Sequence, residues 1–232
     1  MANMIYTDSD AIITVFDGAL STRVISHPTR AFALEATFHL DHPMFSTLIS
    51  RKPPMHFHQH QEEYIQVVEG RLGFEYNGRE WLMFPHDGEF AVRPGINHRS
   101  YPVAAENTQS GDKTLKFLIS GSKTSEVFSL DLLFFENWYL YQEQLILNGK
   151  KPDIIQVLST FDAGGSYLSF PNWIPFGRNL SVIVAIVVGR WIGGLLGYQP
   201  FYHKWSTDWG LACERMEASI FQRRFANRTI SL

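Results

Sequence analysis

Along the first half of the chain, apolar and polar residues alternate in short runs. Arg30 to Leu40 is the clearest, with Phe32, Leu34, Ala36 and Phe38 on one side and Glu35, Thr37 and His39 on the other. That period of two predicts a half-buried strand. Ala11 to Phe16 predicts another, Asp41-His42-Pro43 breaks the pattern, and Phe45 to Arg51 resumes it. Glu63 to Glu69 alternates so that Ile65 and Val67 share a face with Glu63. Arg71 to Tyr76 and Arg79 to Phe84 flank Asn77-Gly78, whose residues both accept positive φ, a strong hairpin signal. Glu89 to Arg93 and Leu115 to Ser120 complete the set, and Ala104 to Thr114 is a polar loop placed at the rim. Short strands at this spacing predict an antiparallel barrel or jelly roll.

The pattern changes near Ser125. Val127 to Leu147 carries Leu130, Leu133, Phe134, Trp138 and Tyr141 at helical spacing and ends at Asn148-Gly149, with Pro152 beyond. Pro152 to Phe161 predicts a second helix with proline in its first turn. Thr207 to Phe225 predicts an amphipathic helix with Glu214, Arg215, Gln222 and Arg223 on its wet side. Between them, Asn179 to Tyr198 is nearly all apolar. A charge at Arg190, near its middle, and several glycines disfavour a membrane span. The expectation is a helix packed by close approach at its glycines, with Val182 to Val188 buried on the barrel or a second copy and Arg190 reaching a carboxylate or carbonyl. Peripheral membrane contact through residues 181–198 is the competing reading.

Composition narrows the classes. Hydrophobic residues make up 45 % of the chain and aromatic ones 14 %, enough for a large core. A net charge of −3 gives no sign of a nucleic-acid surface. The one cysteine, Cys213, excludes an internal disulfide framework and is expected to be a small buried apolar side chain. No secretory pattern opens the sequence, so a cytoplasmic location is expected.

The chemistry concentrates in His56-Phe57-His58-Gln59-His60-Gln61-Glu62-Glu63. Histidines two apart on a strand project from one face, so His56 and His58 can grip one ion. His58 and His60 have the same spacing, but only two residues would then separate His60 from Glu63. The first pair is preferred, with His60 on the other face or supporting a ligand from behind. Glu63 is preferred over Glu62 because Ile65 and Val67 share its face. Downstream, Arg93-Pro94-Gly95-Ile96-Asn97-His98 sets a further histidine just after a tight turn. Three imidazoles and a carboxylate suit one divalent transition metal such as iron, manganese, nickel, copper or zinc, with a coordination position left open.

These two stretches resemble the paired motifs of the cupin superfamily. His56, His58, Glu63 and Gly70 fit the first, with four residues before the glutamate and six after it. Gly88, Pro94, Gly95 and His98 look like the second, with two departures: Pro94 and Gly95 are adjacent, and Pro102 stands where the motif closes on asparagine. The resemblance implies a mainly β fold, a cupin double-stranded β-helix (jelly-roll barrel) over residues 1–125, followed by a C-terminal helical extension over residues 126–232. It also implies the metal ligands His56, His58, Glu63 and His98. Phe74, Tyr76, Phe90 and Tyr101 are pocket candidates of open facing. The long extension resembles fungal cupin-domain proteins of secondary metabolism. The expected function is a metal-dependent enzyme acting on a small, largely apolar molecule, either as a dioxygenase on an enol or phenol or as a Lewis-acid isomerase or cyclase. A non-catalytic binding or structural barrel is the alternative, and a homodimer is expected in either case.

Overall fold

In the computed structural model, residues 12–49, 52–103 and 113–229 are described. The polar loop expected over Ala104–Thr114 falls outside them except for its last two residues.

Two antiparallel sheets face each other. The first orders β1 (Ile12–Val15), β2 (Leu20–Val24), β3 (Arg30–His39), β10 (Thr114–Ser122), β5 (Glu63–Glu69) and β8 (Glu89–Val92). The second orders β11 (Ser166–Leu168), β4 (His56–His58), β9 (His98–Pro102), β6 (Leu72–Tyr76) and β7 (Arg79–Met83). This is the jelly-roll arrangement of a cupin barrel. Alternation along each strand sends one side inward. Leu34 and Ala36 of β3, Ile65 and Val67 of β5, Leu72 and Phe74 of β6, and Phe117 and Ile119 of β10 make a continuous core. The β6–β7 hairpin turns at Asn77-Gly78 with φ of 51° and 81°, as its sequence predicts.

The helices complete the barrel. Helix α2 (Leu132–Leu147) is capped by Asp131, whose carboxylate accepts from the Phe134 amide at 3.0 Å. Its Leu132, Phe134 and Phe135, with Val157 and Phe161 of α3 (Ile154–Ala163), join the barrel core directly. Asp153 caps α3, so this helix begins after Pro152. β11 then returns to pair along all of β4, Ser166 opposite His58 and Leu168 opposite His56. The C-terminal half thus supplies a strand of the site-bearing sheet.

The apolar stretch forms one continuous helix from Gly177 to Leu196: α4 (Gly177–Val184), a π-helical segment (Ala185–Ile192) and α5 (Gly193–Leu196). It packs across α3. At Gly189 an added Cβ would lie 2.6 Å from the Leu158 backbone, so only glycine permits this approach. Arg190 reaches a carboxylate, its Nε donating to Asp162 at 2.6 Å and its second nitrogen at 2.8 Å. Burial within the chain covers one face only: Ala185 is buried while Ile183 is exposed, so the single chain covers part of the Val182 to Val188 stretch.

Other expectations change. Residues from Phe45 form a short helix, α1 (Phe45–Ile49), not a strand, because Met44, Phe45 and Leu48 reach the core at helical spacing. The last helix, α6, covers Trp209–Glu217 only, and the chain beyond it runs through turns. Arg215 and Gln222, expected on its wet side, are buried. Arg215 pairs with buried Asp131 at 2.6 Å and donates to the Ser129 and Ala163 carbonyls. β2 and β11 carry no alternation long enough to predict them.

Candidate metal centre

Each site residue is placed by a local device. β4 turns His56 and His58 inward and buries Phe57 on the opposite side against Leu158, Tyr167 and Ala185. β5 turns Glu63 inward with Ile65 and Val67. His98 opens β9 directly opposite His56. The preceding turn has Pro94 in its second position and Gly95, with φ of 76°, in its third, closed by the Ile96 amide on the Arg93 carbonyl at 3.3 Å. That is the residue order a type II turn requires, and it accounts for the adjacency of Pro94 and Gly95. The Gly95 amide also donates to the His58 carbonyl at 2.7 Å, tying this turn to β4.

The result is a tight, buried cluster. One ring nitrogen from each of His56, His58 and His98 lies within 4.8 Å of the others. Glu63 Oε2 is 2.9 Å from His98 Nε2 and 3.8 Å from His58 Nε2. Burial, followed by the neighbouring imidazoles of His98 and His58, holds His56 well below its ordinary value of 6.5. Burial likewise lowers His58. Burial alone would raise Glu63, but its contacts with His58 and His98 outweigh that and keep the carboxyl well below its usual range.

Hydrogen bonding behind the rings fixes which nitrogen faces the centre. His56 Nδ1 lies 3.1 Å from the Pro54 carbonyl and His98 Nδ1 2.9 Å from the Ile96 carbonyl. A carbonyl only accepts, so both Nδ1 atoms carry a proton and both Nε2 atoms face the centre. For His58 the partner is the Ser166 hydroxyl at 2.9 Å. That hydroxyl donates to the Gly164 carbonyl at 3.2 Å, so it accepts from His58 Nδ1. His58 Nε2 is then buried without a partner among the described residues. Three imidazole nitrogens and a carboxylate therefore converge, with His98 Nε2 hydrogen-bonded to Glu63 Oε2 at 2.9 Å. This donor set fits a borderline divalent cation, with the outer bonds such ligands carry.

The cluster opens on a cavity of about 630 Å³. Phe117 and Ile119 of β10 form part of its wall, and Phe134, Phe135, Trp138 and Tyr139 of α2 lie on it with Phe161. Lys52, Lys150 and Lys151 border it where it meets solvent. Burial, then the Glu63 charge, pushes the Tyr139 phenol up, so it keeps its proton. Tyr139 and Gln142 line the cavity.

Of the pocket candidates, Phe74, Tyr76 and Phe90 do not line this space. They pack with Trp81 in an aromatic cluster, ring centroids 5.1–6.2 Å apart, in which only Phe74 is fully buried. Tyr101 borders the cavity, but it stands three residues from His98 and so projects from the other face of β9. There its hydroxyl donates to Glu80 beneath the Lys52 ammonium. His60 is exposed in the turn after β4 and supports no ligand. The residues that sequence reasoning missed are Ser166, Tyr139 and Gln142. Ser166 lies 108 positions from His58 and carries no local signal.

No protein-family model matches the chain. Curated relatives do. The oxidoreductase macE of Penicillium terrestre is 44 % identical over 229 residues, covering 96 % of this chain and 86 % of that protein. The probable oxidoreductase yanE of Aspergillus niger is 43 % identical over 227 residues, covering 96 % and 87 %. The epoxidase atD of Aspergillus terreus is 40 % identical over 177 residues, covering 75 % of this chain and 53 % of that one.

Proposed function

We propose that this chain, which belongs to the fungal oxidoreductase family of macE and yanE, is a metal-dependent cupin enzyme that oxidises a small, largely apolar enol or phenol, in secondary metabolism. One observation carries the reading: three imidazoles, each held through its Nδ1 from behind, converge with the Glu63 carboxylate on an apolar cavity. His56, His58, Glu63 and His98 are the ligands of one divalent transition metal. When bound, that ion supplies the redox centre that dioxygen chemistry requires.

The chain's own groups do the remainder. Phe134, Phe135 and Phe161 keep water from the reacting face and match a ring-sized substrate. The neutral Tyr139 phenol offers a hydrogen bond to a substrate oxygen, and Gln142 can receive or donate a second. Lys150 and Lys151 favour substrates with an anionic or strongly polar edge facing solvent, whereas the Lys52 ammonium is paired with Glu75 and Glu80. The names of the relatives favour oxidation over a Lewis-acid isomerase or cyclase, or a barrel that only binds.

Element analysis of purified protein, with oxygen uptake on a panel of phenols and enols, tests this. Stoichiometric metal that is lost in His56→Ala, His58→Ala and His98→Ala, with oxygen consumption lost in parallel, is the expected result. Folded protein without metal and indifferent to chelators would overturn it.

A further inference from the structure

The outer face of the Gly177–Leu196 helix has no use in the site. Its inner face is spent on α3, through Ala185, Gly189 and the Arg190–Asp162 pair. Among the described residues nothing covers the other side. Trp173 is 81 % exposed, Phe176 83 %, Ile183 56 % and Leu195 57 %, with Leu180 and Trp191 between them. Trp173 and Phe176 stand just before the helix, and Leu180, Ile183, Trp191 and Leu195 lie along its 20 residues, about 30 Å. Phe176 holds its ring outward from a left-handed backbone, φ 56°, at the start of the helix. That conformation is unfavourable for a non-glycine residue, and the ring is 83 % exposed.

Charge distinguishes the possible occupants. Residues 163–207 contain no aspartate or glutamate. Arg178 stands exposed at the start of the stripe, and Arg224 lies against its end, donating to the Gly194 and Leu195 carbonyls. If two copies paired through this helix, a parallel arrangement would set Arg178 against Arg178. An antiparallel one would set Arg178 against Arg224. Either juxtaposes like charges with no acid in the segment to neutralise them. An anionic lipid surface instead meets arginines at both ends and a stripe of tryptophan, phenylalanine and leucine between them. The helix lies along the protein, held by α3, so it can rest on a bilayer but cannot cross one and keep its packing.

We propose that this face docks the enzyme on an anionic membrane surface, with the helix lying in the plane of the headgroups. Full-length protein is co-sedimented with vesicles of phosphatidylcholine alone and of phosphatidylcholine with about one-third phosphatidylserine, at low and high salt. Binding only to the anionic vesicles, weakened by salt, is expected. Ile183→Ser/Leu195→Ser and, separately, Arg178→Gln/Arg224→Gln should each reduce it, the arginine pair by about 30-fold. Both variants should keep the circular dichroism and metal content of the parent. Equal or absent binding to the two vesicle types overturns the proposal, and that comparison needs no variant. So does a parent dimer that Ile183→Ser/Leu195→Ser converts to monomer, since the stripe would then be an interface between copies.

Discussion

Ser166→Ala removes a single oxygen from behind the metal centre. The side chain is wholly buried, and its hydroxyl bridges His58 Nδ1 at 2.9 Å and the Gly164 carbonyl at 3.2 Å. Without it the His58 N–H is buried with no acceptor, which costs about 1–3 kcal/mol. The ring is also free to move its proton to Nε2, and that proton must leave before the nitrogen can bind a cation. Losing such an outer partner lowers metal affinity by about 10–100-fold. At a metal concentration near 100 times the parent Kd, bound metal adds about 2.7 kcal/mol of stability, and after a 100-fold loss only about 0.4 kcal/mol remains. Urea unfolding of parent and variant, each with and without metal, separates the two effects. A general packing defect lowers both curves equally, whereas loss of the tautomer lock shrinks the metal-dependent increment. An unchanged increment, with chelator competition giving the parent's affinity, would refute the assignment of His58.

Metal-free protein should lose stability in acid. His56 and His58 stay neutral in the fold below their ordinary value of 6.5, while the unfolded chain takes up protons there. Stability therefore falls as pH drops from about 6.5, and Glu63, held below its usual range, extends the loss at lower pH. Urea midpoints that stay level between about pH 7.5 and 5.5 would count against the buried cluster. Arg215→Ala should destabilise by about 3–5 kcal/mol, because it strands the buried Asp131 carboxylate. Thermal unfolding close to that of the parent would show that the pair is not closed in solution.

The barrel was legible wherever one face of a strand is wet. β3 and β5 alternate because their outer sides meet solvent, and Asn77-Gly78 announces its hairpin through backbone freedom alone. The His56, His58, Glu63 and His98 constellation was legible because one strand, one turn and one type II turn bring it together, all encoded locally. What failed depends on contacts distant in sequence. Arg215 reads as a surface residue until Asp131 arrives beside it. The facing of Phe74 and Phe90 was open in the sequence, and they join an aromatic cluster that does not line the cavity. The three residues of β11 are too short to show any period, and only the exposed edge of β4 gives them their place.

The pairing of β11 with β4 also sets a timetable for synthesis. Every strand of the barrel up to Ser122 emerges before α2 and α3, but β4 stays an open edge until Leu168 has followed. At about 5–20 residues per second on the ribosome, that interval is roughly 2–9 s. During it, the strand that carries His56 and His58 presents unpaired backbone groups to neighbouring nascent chains. The incomplete barrel also lacks the serine that locks His58, so it holds a cation weakly. Firm loading then waits until Ser166 has been added.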